Sequence, residues 1–224
     1  RLGWTGDAQV FIKTASYNYD VERFFTKWLA DLRADQTNWG TIPHVIPGVF
    51  EPNEDCSAAW ADAATICPWQ IYQTYANKEI IADSLDSMKD YIEFIESRMD
   101  DGIWSRSWHF GDWLNLDGSS PEDCSKGTEK NLIATAYYIY SGAIYAKSLE
   151  LCGKETADMW AKREKSIEAF RREYMKDGRI LPEYATQTAC ALALHFGIND
   201  NAEATAEQLN ELVTECGNLT TGFV

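Results

Sequence analysis

Positive charge is scarce in this sequence. Twenty lysines and arginines face 35 aspartates and glutamates, and the formal net charge is −15. Nucleic acids and anionic membrane surfaces are held by clustered cations. The chain has no such cluster, which excludes both partners. Histidine is rarer still: His44, His109 and His195 stand far apart, and none has a second histidine at metal-ligand spacing. The six cysteines (Cys56, Cys67, Cys124, Cys152, Cys190 and Cys216) form no C-x-x-C pair and predict neither a metal site nor a disulfide framework. There is no G-x-S-x-G, no G-x-x-x-x-G-K-[ST], no H-E-x-x-H and no strand-linked G-x-G-x-x-G. No cofactor and no metal are expected. Apolar runs fall short of the roughly 18 residues that a spanning helix needs, so membrane insertion is not expected. No signal peptide is visible, and the chain opens without methionine as if inside a longer protein. The compartment stays unassigned.

What is present is apolar and helical in pattern. Apolar residues make up 45% of the chain, enough to build a core and to argue against disorder. Residues 5–16 predict a short helix. Val21, Phe24, Phe25, Trp28, Leu29 and Leu32 recur at intervals of three and four, a helix capped by Asn18 or Asp20 and ending near Ala34. Residues 35–56, with Gly40, Pro43, Pro47, Gly48 and Pro52, read as a long loop in which His44–Pro47 is extended. Residues 57–75 are apolar most of the way round, so a buried helix is expected there, kinked or split by Pro68. Residues 78–98 carry one apolar stripe and one charged face. The alternation repeats: 129–152 buried, 155–175 amphipathic, 185–196 short and buried, 202–216 amphipathic through Leu209, Leu212 and Val213. Strand signals are nearly absent, apart from Arg179-Ile180-Leu181. The pattern is all-α. Buried and half-exposed helices taking turns are what a double ring of helices produces, although a solenoid would alternate similarly.

In such a ring, chemistry collects in the long loops at one end. Three stretches stand out. The first is Arg1-Leu2-Gly3-Trp4-Thr5-Gly6-Asp7, with an indole and a carboxylate three apart on one helix face. It reads either as a helix start capped by Thr5 or Asp7, or as a sugar-stacking indole beside a pocket carboxylate. The second runs over 50–62 and holds Glu51, Glu54, Asp55, Trp60 and Asp62. Trp60 and Asp62 point to different faces of a regular helix, and share a pocket only if the helix starts near Asp62. The third is 100–124, with Trp104, Trp108, His109, Asp112, Trp113 and Asp117. Asp62 also fits a first-turn helix residue, and Asp112 an ordinary turn residue. His195, on an apolar face, is expected in the core. Carboxylates beside indoles suit carbohydrate: sugar C–H faces stack on rings, hydroxyls donate to carboxylates, and glycoside hydrolysis uses two carboxyl groups.

The run Arg1-Leu2-Gly3-Trp4-Thr5-Gly6-Asp7-Ala8-Gln9 resembles the signature of bacterial α-L-rhamnosidases of glycoside hydrolase family 78. Further blocks follow in that family's order: Tyr17-Asn18-Tyr19-Asp20, Gly40-Thr41-Ile42-Pro43, Trp60-Ala61-Asp62-Ala63, His109–Leu114, Gln187-Thr188-Ala189 and Leu219–Val224. The resemblance implies an (α/α) six-hairpin toroid, with residues 1–224 forming a partial arc of about eight helices that is incomplete at both ends. It implies inverting hydrolysis of terminal α-L-rhamnose from a rhamnose-containing glycoside, oligosaccharide or polysaccharide. The acid and base carboxyls of inverting enzymes stand roughly 6.5–9.5 Å apart. By the resemblance, the acid Glu precedes Arg1 and the base Glu follows Val224, so this chain alone is expected to be inactive. Asp7 matches a carboxylate that assists in the pocket. Trp4 and Trp60 match pocket indoles, and either Trp108 or Trp113 matches another. Asp62 and Asp112 are further pocket candidates. A different six-hairpin glycosidase and a non-catalytic carbohydrate-binding helical module are the alternatives. An enzyme handling uronates would need basic pocket residues, and the candidate loops offer Arg106 alone.

Overall fold

Every helical pattern in the sequence becomes a helix in the computed structural model, which describes residues 2–50, 52–118, 120 and 123–224. Arg1 and Glu51, both singled out above, lie outside the described residues. The chain divides into two units, 1–98 with 141–162, and 99–140 with 163–224. No helix among the described residues is long and apolar enough to cross a membrane.

The first unit holds α1 (Thr5–Asn18), α2 (Glu22–Asp35), α3 (Ala63–Tyr75) and α4 (Lys78–Ser97). It also takes the end of α5 (Lys130–Leu151) and the beginning of α6 (Ala157–Tyr174). The nearly charge-free α3 packs against α1, α2 and α4, as its all-round apolar surface requires. Ile81, Leu85 and Met88 of α4 meet Trp69 and Tyr72 of α3 and Tyr145 and Leu149 of α5. Each such buried side chain contributes roughly 2 kcal/mol. Three local expectations change. The helix expected from residue 57 begins at Ala63, because Ala59 sits at φ +66° and cannot belong to a right-handed helix. Pro68 lies inside α3 without dividing it. At α1 the N-cap is Trp4 rather than Thr5 or Asp7, and at α2 it is Val21, with Asp20 accepting from the Glu22 amide at 3.3 Å.

The second unit holds two short hairpins. β1 (Met99–Asp100) pairs antiparallel with β2 (Ile103–Trp104), and β3 (Met175–Lys176) with β4 (Arg179–Ile180). Both turn through Asp-Gly, at Asp101-Gly102 (φ 44° and 88°) and Asp177-Gly178 (φ 52° and 77°). Positive φ at both central residues is the type I′ geometry that suits strand twist, and Asp-Gly is its usual sequence. A short 3-10 turn (Pro182–Tyr184), α7 (Gln187–His195) and α8 (Ala202–Cys216) follow. The expected α8 stripe of Leu209, Leu212 and Val213 is only half covered, and its buried residues are Thr205 and Gln208. Gln208 accepts from the Ile180 amide (2.7 Å) and donates to the Ile180 carbonyl (2.8 Å), so an amide side chain serves as the next strand for β4. His195, expected in the core, is exposed at the end of α7, beside Tyr140 and Phe196.

Candidate active-site residues

In the first unit the opening stretch is held by an isolated antiparallel bridge between Trp4 and Val45. Ile46 N donates to Gly3 O (2.9 Å), and Thr5 donates to the His44 carbonyl through both its amide (2.9 Å) and its hydroxyl (3.1 Å). Of these bonds, the one from the Thr5 amide occupies a helix-start N–H that has no intrahelical partner, although α1 has no side-chain cap. Gly3 is required there: a Cβ would stand 2.4 Å from the Ile46 carbonyl oxygen. Gly3→Ala is therefore expected to cost about 2–3 kcal/mol, an overpacking effect, and to turn Trp4 and Asp7 out of register. Urea unfolding of the variant against the parent measures it.

Trp4 is half-buried, its ring 6.4 Å from that of Phe50. Asp7 is exposed in the first turn of α1, where a carboxylate complements the helix dipole. Trp60 and Asp62 differ from expectation. Trp60 is only 4% exposed and Asp62 is fully buried. Asp62 Oδ2 accepts from the Ala59 amide (2.7 Å), and Oδ1 accepts from Ser141, whose hydroxyl also pairs with Thr65 at 2.8 Å. The buried carboxylate thus fixes the tight turn that carries Trp60 and ties α3 to α5. α3 does start next to Asp62, at Ala63, but Trp60 and Asp62 are both buried.

Burial raises the Asp62 pKa from 3.8 to about 6, against the pull of its donors. The folded chain then binds this proton more tightly than the unfolded chain. Stability from this group is full below pH 3.8 and is lost as pH rises to about 6. A rise of that size corresponds to about 3 kcal/mol at most. Asp62→Asn is expected to flatten this part of the stability profile, measured by urea unfolding from pH 4 to 7.

In the second unit, Trp108 is 56% exposed and Trp113 half-buried. Phe110 stands edge-on to both, at 4.6 and 5.7 Å, and Lys130 Nζ lies 5.9 Å from the Trp108 ring. Trp104, by contrast, is fully buried against His109 (4.8 Å, perpendicular) and is part of the core. Asp112 is fully buried. Its Oδ1 accepts from the amides of Gly222 (3.0 Å) and Val224 (3.4 Å), and its Oδ2 from the Thr188 hydroxyl (2.5 Å). Burial raises its pKa while those donors oppose the rise. This carboxylate clamps the segment at 222–224 to α7.

The clamp is wider than Asp112. Asp117 Oδ2 accepts from the Thr220 hydroxyl (2.7 Å), and Gln187 takes the Thr220 amide and the Asn218 carbonyl, each at 3.0 Å. Phe223 N donates to Trp113 O (2.9 Å) and Leu116 N to Thr220 O (2.7 Å). Three of the sequence blocks, His109–Leu114, Gln187–Ala189 and Leu219–Val224, therefore meet. The roles of His44, Phe50, Asp117 and Gln187 were not read from the sequence. Only the order of the blocks hinted at the last of these. All six cysteines are free, and the described residues contain no cluster that could hold a metal.

Helical hairpins here carry an exposed carboxylate at Asp7, an exposed indole at Trp108 and half-buried indoles at Trp4 and Trp113. The family model for the bacterial alpha-L-rhamnosidase six-hairpin glycosidase domain matches residues 1–224, and the chain belongs to that family. An alpha-L-rhamnosidase of Formosa agariphila is 37% identical over all of this chain and 24% of its own length. One from Streptomyces avermitilis is 35% identical over all of this chain and 21% of its own. The chain thus spans about a quarter or less of these relatives. The solved structure of the Streptomyces avermitilis alpha-L-rhamnosidase complexed with L-rhamnose superposes at TM-score 0.87, with 32% identity over 99% of this chain and 21% of that one. That of the Aspergillus terreus enzyme superposes at 0.90, with 29% identity over 99% of this chain and 26% of that one.

Proposed function

We propose that the protein to which this chain belongs hydrolyses terminal α-L-rhamnosides with inversion, that Asp7 and Trp4 bind the rhamnose, and that Trp108 is a further sugar-stacking ring. The observation that carries the reading is the presentation of Asp7. An exposed carboxylate sits on a helix end pinned by three hydrogen bonds to the loop at 44–46, beside a half-buried indole. A carboxylate on a helix start whose backbone is pinned in this way can accept from sugar hydroxyls with little backbone reordering. Trp4 offers a ring face for the apolar side of a deoxy sugar. Of Trp108 and Trp113, Trp108 is the more exposed. Trp60, Asp62 and Asp112 act from behind, by holding backbone.

The test is to incubate the full-length protein with p-nitrophenyl α-L-rhamnoside and follow the released sugar by NMR. β-L-Rhamnose as first product supports the reading; no release, or release of the α anomer, overturns it. Trp108→Ala is expected to raise KM about 10-fold, the loss of one stacking contact of roughly 1.4 kcal/mol. Its melting temperature should hold, since the side chain is exposed.

A further inference from the structure

A cavity of about 350 Å³ lies in the first unit against the loop that pins Trp4. Among its lining residues are Asp35, Thr41, His44, Phe50, Asn53 and Asp55. The volume is in the range of ligand pockets, roughly 300–1,000 Å³. Neither Trp4 nor Asp7 lines it, yet it adjoins their stretch directly. Phe50 forms one wall and faces the Trp4 ring at 6.4 Å, and the His44 backbone carries Thr5. We propose that this cavity is the leaving-group subsite, which takes the neutral sugar or other polyhydroxylated ring from which rhamnose is cleaved. The inference rests on the rhamnosidase reading.

The lining chemistry selects that class. Its described lining residues include no lysine or arginine, so among them phosphate, sulfate and uronate groups would find no cationic partner. Two carboxylates, an amide and hydroxyls supply acceptors for a ring rich in hydroxyl donors. Phe50, 59% exposed, supplies a flat apolar face. His44 is suited to be a neutral partner. Burial lowers its pKa, and its Nε2 accepts from the Ser57 amide at 3.2 Å, which puts the ring proton on Nδ1. The loop is also prebuilt. Asp35 Oδ2 accepts from the Gly48 amide (2.6 Å), and the Thr41 hydroxyl donates to the Asn53 carbonyl (2.7 Å). A bound ring would therefore meet walls already in place.

Two variants test the subsite in opposite ways. Phe50→Ala removes the stacking wall. Gly48→Leu fills the space instead: a Cβ there meets Asp35 Oδ2 at 3.5 Å, an ordinary contact, so the backbone tolerates it. Each is assayed in the full-length protein on p-nitrophenyl α-L-rhamnoside, whose leaving group departs readily, and on an α-L-rhamnosyl hexose. The expected result is a fall of about 10-fold in kcat/KM for the disaccharide relative to the aryl glycoside, equivalent to one lost stacking contact. An unchanged ratio in both variants overturns the subsite. Failure of the parent protein to cleave either substrate overturns the rhamnosidase reading instead.

Discussion

Asp7→Asn in the full-length protein is expected to lower kcat on p-nitrophenyl α-L-rhamnoside by about 100-fold. A hydrogen bond to a charged group supplies about 1.5–3 kcal/mol, and a bond tightened in the transition state appears in kcat rather than KM. The amide keeps the shape of the carboxylate but donates where the carboxylate accepts. Stability should hardly move, because Asp7 is exposed and the start of α1 is pinned by backbone and Thr5 bonds that the change leaves intact. Exposed substitutions fall within about 0.5 kcal/mol, or a degree or two in Tm for a chain of this size. Steady-state kinetics paired with a thermal melt decides it. A rate near that of the parent removes Asp7 from the sugar site.

Asp112→Ala is expected to do the reverse: unfolding before any effect on chemistry. The alanine leaves the half-buried Gly222 and Val224 amides and the buried Thr188 hydroxyl without their acceptor. Removing one partner from a buried charged network costs about 3–5 kcal/mol. Thr188→Val removes a single donor and should cost about 1–2 kcal/mol. Hydrogen exchange at the Gly222 and Val224 amides reports the clamp directly, and should accelerate in Asp112→Ala but much less in Thr188→Val. An Asp112→Ala protein with parental urea midpoint and exchange would show that the segment 218–224 is held by other contacts.

The helices were legible because burial writes itself into spacing. α4 announces its face through Ile81, Leu85, Met88 and Ile92, and α3 its burial through the lack of charge. What resisted was whatever depends on single polar groups reaching across long separations. Asp62 and Ser141 are 79 residues apart, and Asp112 and Val224 are 112 apart. Nothing near either aspartate in sequence distinguishes a carboxylate that meets a sugar from one that meets a backbone amide. Of the two hairpins, Arg179-Ile180 of β4 was read as extended, and the other strands were missed because each is two residues long, too short for a period. α8 misled because its leucines are half covered while Thr205 and Gln208 make the deep contacts. Trp4 and Asp7 were singled out first by their spacing and then by the resemblance, and Gly3 is what lets their stretch lie against the loop at 44–46.

The clamp around Asp112 also sets an order for biosynthesis. Its acceptors leave the ribosome about 110 residues before the donors at Gly222 and Val224. At roughly 5–20 residues per second, the loop around Trp108, Asp112 and Trp113 waits on the order of 5–20 s in the nascent chain without its lid. Gln187 and Thr188 arrive earlier, but Gln187 too has its partners at 218 and 220. The first unit faces no such delay at its opening, since Thr5 finds His44 within 39 residues. A chain released before residue 224 would thus carry an ordered Trp4 and Asp7 in the first unit and an unfinished aromatic loop in the second. The exposed rings of that loop are the surface a chaperone would meet.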